Sequence, residues 1–337
     1  IISLLIVALS VPLTGVAQEE KDVSIPLDHF YVDRQGIGLF RKLLSKVHFG
    51  LSTGYGSTTF RHELEDLGIY QPSSGNPYLF NPTTPANGLF NWFNEVVDTT
   101  LTISPGEFLV SPDTASLGFR SKSFNIPLRL TAHVEIKQRY RIGGGYSFEY
   151  TKVNDFEPLS FGNDINTYQP EVSSFFLKKY FVLLGASVYR YDKYLLTVDA
   201  QIGGYSLGKK FDKAVIDKGI FFNLGGMVER EMSEYFRLFI RPSIEFKGYD
   251  LNIAETGTSI RHRMNAFYIN VGASYRIPEL RRCYNKECRA QINHAHGNRE
   301  YRSRVHPIWK KQNPHHGENY PNLIKYKGKN KRKLNPY

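Results

Sequence analysis

Cysteine is nearly absent from this chain of 337 residues: there are two, Cys283 and Cys288, and none before them. That excludes a disulfide-stapled scaffold, and the lack of a cysteine behind the N-terminal apolar run argues against a lipoprotein. Past residue 17 no uninterrupted apolar stretch reaches 18 residues, so no later helix is apolar enough to cross a bilayer. Any later crossing must be made of strands. Surplus positive charge is missing from most of the chain as well. Residues 278–337 hold 15 Lys+Arg and 4 Asp+Glu, which leaves 28 of each sign in the body before them. The net charge of +11 therefore belongs to the tail alone, and the body is not a nucleic-acid-binding surface. No glycine-rich phosphate cradle is present either, because Gly143, Gly144 and Gly145 fall inside an alternating run, and no cofactor is expected.

What is abundant is aromatic: 22 Tyr and 23 Phe bring the aromatic fraction to 14%. The chain opens on an apolar run that ends in small residues at Gly15-Val16-Ala17 and changes abruptly to Gln18-Glu19-Glu20-Lys21. This pattern reads as a secretory signal peptide over residues 1–17, cleaved after Ala17, followed by a periplasmic N-terminal segment over 18–45.

From Val47 onward, apolar and polar residues alternate in runs longer than the strands of ordinary soluble sheets. The clearest sets Phe124, Ile126, Leu128, Leu130, Ala132, Val134 and Ile136 on one face, with Asn125, Arg129, Thr131, His133 and Glu135 on the other. Period two over thirteen residues specifies a strand with one apolar and one polar side. The same dyad recurs near 47–55, 140–150, 196–203, 220–229, 236–247 and 267–277, and less cleanly near 174–190. Eight strands result. Tight connectors near 137–139, 191–193 and 231–234 alternate with long polar ones near 65–117, 155–172, 208–218 and 251–262. The expected fold is all-β: an eight-stranded antiparallel transmembrane β-barrel over 46–277, with short periplasmic turns, long extracellular loops and an extended C-terminal tail. Its apolar face meets outer-membrane lipid, and Tyr and Phe near the strand ends supply the interfacial girdles.

The runs HFGLSTGYGSTTF, FNIPLRLTAHVEI, RYRIGGGYSFEY and AFYINVGASYRI resemble the outer-membrane β-barrel proteins of the Bacteroidota, over roughly residues 45–277. The resemblance implies an integral outer-membrane location and names barrel assembly or type 9 secretion as settings. The sixty basic residues after the last strand depart from that pattern.

An eight-stranded barrel has a lumen that side chains fill. The inward set is expected to be Arg129, Glu135, Arg141, Glu149, Asp199, Arg237, Arg241 and Glu245, joined by His48, His133, Glu229 and Lys247. Both signs are present, so these groups form a self-neutralising plug in place of a catalytic set. His62, Glu63, Glu65 and Asp66 at the top of the first strand, with His262 near the top of the last, form a loose constellation. A lipid- or peptide-modifying hydrolase would need such a rim site. A solvated loop rim is the plainer alternative. The 65–117 loop carries an apolar island around Trp92 and Phe93, which implies a partner or a folded lid.

The tail, 278–337, is expected in the periplasm. Its aromatics and basic cluster, Tyr301, Trp309, Tyr320, Tyr326, Lys327, Lys331, Arg332 and Lys333, are the expected docking residues for an acidic surface. Other outer-membrane or periplasmic envelope proteins are the expected partners, with peptidoglycan as an alternative and nucleic acid excluded by the compartment. In that oxidising compartment Cys283 and Cys288 are expected to form a local disulfide. The alternative uses Cys283, Cys288, His294 and His296 as a four-ligand zinc site, although the His-x-His spacing is unlike common structural zinc motifs. These readings add up to a non-catalytic accessory or scaffolding subunit of a cell-envelope complex docked by its tail, with a peptidoglycan tether or a rim hydrolase as alternatives.

Overall fold

The computed structural model describes residues 38–312 apart from 65, 83–105, 113–116, 138, 192, 254–256, 298, 305–307 and 309–310. The expectations for the signal peptide, for Trp92 and Phe93, and for Trp309, Tyr320, Tyr326, Lys327, Lys331, Arg332 and Lys333 fall outside the described residues.

The period-two runs form eight long antiparallel strands: β1 Val47–Glu63, β2 Phe119–Ile136, β3 Tyr140–Val153, β4 Ser174–Tyr191, β5 Tyr194–Ser206, β6 Phe221–Glu231, β7 Phe236–Phe246 and β8 Thr258–Arg276. Each pairs with its neighbour in the chain, and β8 pairs back onto β1 from His48↔Arg276 to Glu63↔Arg261. All eight thus have a partner on both sides, which removes the open edges that would otherwise template aggregation. A six-residue helix, α1 (Leu39–Leu44), precedes β1 at the end where the turns are short.

Alternation sorts the wall. Leu51, Leu130, Val182, Ile240 and Val271 point outward and are each more than half exposed. Their neighbours Ser52, Arg129, Phe181, Arg241 and Asn270 point inward and are buried. A soluble protein cannot leave so continuous an apolar band in water, whereas a lipid-facing surface requires one.

Two prolines interrupt the hydrogen-bonded wall. The β1–β2 register passes from Thr53↔Leu128 to Gly56↔Asn125, skipping the stretch that holds Pro127. Between β6 and β7 it passes from Gly225↔Ser243 to Val228↔Ile240, skipping Pro242. Proline has no N–H to give the ladder, so its neighbour loses a partner there.

At the long-loop end the wall continues upward through Gly248–Ile253, which pairs with β8 on one side and with Ile216–Lys218 on the other. The 65–117 segment adds a small sheet of Tyr78–Phe80, Gly68–Gln71 and Phe108–Val110. Leu67, Ile69, Leu79 and Val110 from this segment are buried in the same cluster as Phe60, Phe119, Phe156 and Tyr249. The described part of this long loop is therefore a cap folded onto its own barrel.

The tail differs from the extended segment expected. Its described part folds back on the short-turn end, where Arg41 of α1 donates to the carbonyls of Pro278 (3.2 Å), Glu279 (2.9 Å) and Leu280 (3.0 Å). The Gln312 amide donates to Glu234 in the β6–β7 turn at 3.0 Å. Two short strands, His294–His296 and Arg299–Tyr301, form a hairpin within it.

Candidate functional site

The interior has three tiers, each built from inward positions of several strands. Nearest the short turns, Arg141 on β3 grips Glu229 on β6 through both guanidinium nitrogens, with Nη2 2.9 Å from Oε2. Its Nη2 also lies 2.9 Å from Glu135 Oε1 on β2. Arg237 on β7 reaches the same Glu135 at 2.5 Å and Glu231 at 3.1 Å. His48 and His133 stack beside them with ring centroids 5.2 Å apart. His48, His133 and Glu135 stand close enough to share an ion, but two arginines already claim the carboxylate.

In the middle tier Arg241 Nε donates to Asp199 at 2.8 Å and Nη2 to Asn223 at 2.7 Å. Arg129 donates to Gln201, whose amide in turn meets Asp199 at 3.3 Å. Above them Lys179 bridges Glu149 (2.7 Å) and Glu245 (2.5 Å), and Lys247 meets Glu245 at 2.8 Å. Tyr268 donates to Glu149 at 2.8 Å, and Asn125 donates to the same oxygen at 2.6 Å.

All eight residues of the lumen set face inward, and every one takes part in these contacts. Sequence reading missed Lys179, Arg190 and Glu231, the last two paired at 2.6 Å. Lys179 was hidden because the inner face of β4 is otherwise apolar, carrying Phe175, Leu177, Phe181 and Leu183, so the alternation there is blurred. Charges buried this deeply are stable only because each has a partner.

Glycine makes room for these groups. A Cβ on Gly225 would stand 2.6 Å from the Arg241 guanidinium, and one on Gly145 would stand 2.6 Å from the Phe181 ring.

The third tier, toward the long loops, is apolar. Phe60, Leu117, Phe119, Phe156, Tyr249 and Met264 form part of one buried cluster that the cap closes. Within it His62 and His262 are register partners across β1 and β8, with ring centroids 4.2 Å apart. Phe156 stacks on His62 at 4.6 Å, and Tyr249 stacks on His262 at 4.3 Å. The two histidines meet as their strand positions imply, yet both are fully buried. A rim hydrolase needs both histidines open to water and substrate, so the expected placement at an accessible rim is corrected. The Glu63 side chain and Glu65 fall outside the described residues, and Asp66 is exposed at positive φ (63°).

At the opposite end, Cys283 and Cys288 are not joined; both thiols are free, in contrast to the expected disulfide. Cys283 Sγ lies 3.3 Å from His296 Nε2 and Cys288 Sγ 3.2 Å from His294 Nε2. Each thiol faces an imidazole. Tyr301 packs its ring against Tyr284 at 5.3 Å, so this expected docking residue is engaged within the tail itself.

No family model matches the chain, and no curated protein matches it. Solved structures with a similar course are outer-membrane barrels. The outer membrane protease OmpT from Escherichia coli is 14% identical, with 68% of this chain and 96% of that chain covered at a TM-score of 0.31. The outer membrane protein OprG from Pseudomonas aeruginosa is 9% identical, with 68% and 96% covered at 0.32. The TodX monoaromatic hydrocarbon channel is 8% identical, with 69% and 91% covered at 0.20. These likenesses concern the fold. The expectation of an accessory or scaffolding subunit docked by its tail is corrected: the described part of the tail, up to Gln312, folds onto the short-turn end of its own barrel.

Proposed function

We propose that the chain spans the outer membrane, with its short turns and tail on the periplasmic side, and takes small apolar molecules into the capped tier at the long-loop end. The observation that supports this reading is the division of the interior: an apolar, aromatic-lined tier under a folded cap sits above a tier of paired buried charges. An apolar solute gains by replacing contacts between the cap and the wall, and gains nothing among paired charges. It therefore leaves sideways. The ladder interrupted at Pro127, opposite Gly54, is one of two places in the wall, with that at Pro242, where two strands have fewer bonds to break.

Vesicles carrying lipopolysaccharide in the outer leaflet test this, because that leaflet resists apolar solutes. With the purified protein present they should take up a toluene-class probe faster than empty vesicles while staying tight to potassium. Phe156→Asp should abolish the uptake. Pro127→Ala, which restores the missing N–H, should slow it in a barrel that still folds. Uptake equal to that of empty vesicles, or potassium leak that rises with solute uptake, overturns the reading.

A further inference from the structure

We propose that Cys283, Cys288, His294 and His296 form a tetrahedral zinc site that organises the tail against the short-turn end of the barrel. His294 and His296 lie two apart on a strand, so their side chains share one face, and the hairpin turn at Gly297 (φ 59°) returns the chain beside them. A His-x-His pair is unusual in zinc motifs carried on helices, but on a strand it is the spacing that places two imidazoles together. Cys283 is tied into the same unit, since its N–H donates to the Arg302 carbonyl at 3.0 Å. The turn through Asn285 then brings Cys288 round, its N–H 3.4 Å from the Asn285 carbonyl.

The four ligand atoms lie within 4.8 Å of one another. Zinc bonds of about 2.3 Å to sulfur and about 2.0–2.1 Å to nitrogen separate tetrahedral ligands by about 3.3–3.8 Å. Three of the edges here measure 3.3, 3.2 and 3.2 Å, the last between the two Nε2 atoms. The histidine rings stand at 88° to each other, so the two nitrogens converge without stacking.

The proton positions agree. His294 Nδ1 lies 2.9 Å from the Ile292 carbonyl oxygen, which can only accept, so Nδ1 carries the hydrogen and Nε2 presents its lone pair to the cluster. Fixing a ring by its far nitrogen in this way is how metal-binding histidines are oriented. Two thiolates and two neutral imidazoles balance a divalent ion, and binding releases the two thiol protons to solvent. Arg281, Arg282 and Arg299 line the cleft beside His296 and favour the anionic sulfurs further.

The tail also needs such a cross-link. Past Ile277 the described residues bury Pro278 and Cys283 but almost no other apolar side chain, so there is no hydrophobic core to hold the hairpin. With all four positions filled by protein the site is structural, and its metal supplies folding energy directly.

The experiment uses the full-length chain, purified in mild detergent. Elemental analysis should find about one zinc per chain, and exchange into cobalt(II) should give the intense visible and thiolate charge-transfer bands of a tetrahedral sulfur site. Cys283→Ser and Cys288→Ser should each lose those bands, and His294→Ala should shift or weaken them. The heat-dependent gel migration of the barrel should stay unchanged in all three. Chelation should expose the 278–304 segment to trypsin and free two thiols to labelling. If the wild-type chain shows no cobalt–thiolate bands, the proposal is wrong. It is equally wrong if the thiols appear only with a reductant and never with a chelator, since that result identifies a disulfide.

Discussion

Arg141 and Glu229 face each other across the lumen, and both guanidinium nitrogens of the arginine engage both carboxylate oxygens. Neither residue is near the other in sequence, and both are almost wholly buried. Removing one partner leaves the other under-compensated in a low-dielectric interior, Arg141 keeping only Glu135 and Glu229 only the more distant Arg237, so Glu229→Leu or Arg141→Met alone should cost up to about 3–5 kcal/mol. Replacing both together should cost less than the sum. Urea unfolding of the detergent-solubilised barrel, followed by the gel shift between folded and heated forms, measures the difference. Additive costs would show that the two residues are not coupled.

The outward face makes a separate prediction. Leu130 and Ile240 are each more than half exposed and sit mid-strand in the apolar band. Leu130→Arg or Ile240→Arg should destabilise the barrel in lipid by about 2–4 kcal/mol if the position lies at the bilayer midplane. Refolding into vesicles reads this directly, and an unchanged yield would place the band outside the bilayer.

Gly225 predicts a steric cost that depends on a distant residue. Its added Cβ would meet the guanidinium of Arg241, which Asp199 and Asn223 hold in place and prevent from retreating. Gly225→Ala should therefore cost about 1–3 kcal/mol, as overpacking does. In an Arg241→Ala background the same change should be nearly neutral. A cost that persists there points to the backbone instead of the guanidinium.

Arg41 tests the attachment of the tail. It caps three successive carbonyls at Pro278, Glu279 and Leu280, and the chain leaves the barrel at that point. Arg41→Ala should increase trypsin cleavage after Arg281 and Arg282 while the barrel keeps its heat-dependent migration. Equal cleavage rates would mean that other contacts, such as Gln312 with Glu234, carry the attachment.

The sequence by itself determined the strands and their facing. Side chains alternate on a pleated backbone whatever lies around them, so a period of two reports the element and its two environments at once. It also determined which charges would point inward wherever the opposite face was purely apolar, as along β2 with Arg129 and Glu135. Where both faces of a strand are apolar the signal vanishes, and Lys179 on β4 was lost for that reason. Only the tertiary structure decided which charge meets which. Arg141 and Glu229 are 88 residues apart, and their pairing follows from the curvature of the wall, which no local pattern records. The same holds for the two histidine pairs. His62 and His262 share a register position that strand order alone makes adjacent, yet their burial under Phe156 and Tyr249 depends on how the loops fold over the mouth. His294 and His296 were legible as a spacing, but their meaning changed once that spacing lay on a strand, because a pleat puts alternate residues on one face and so carries both imidazoles to the thiols of Cys283 and Cys288.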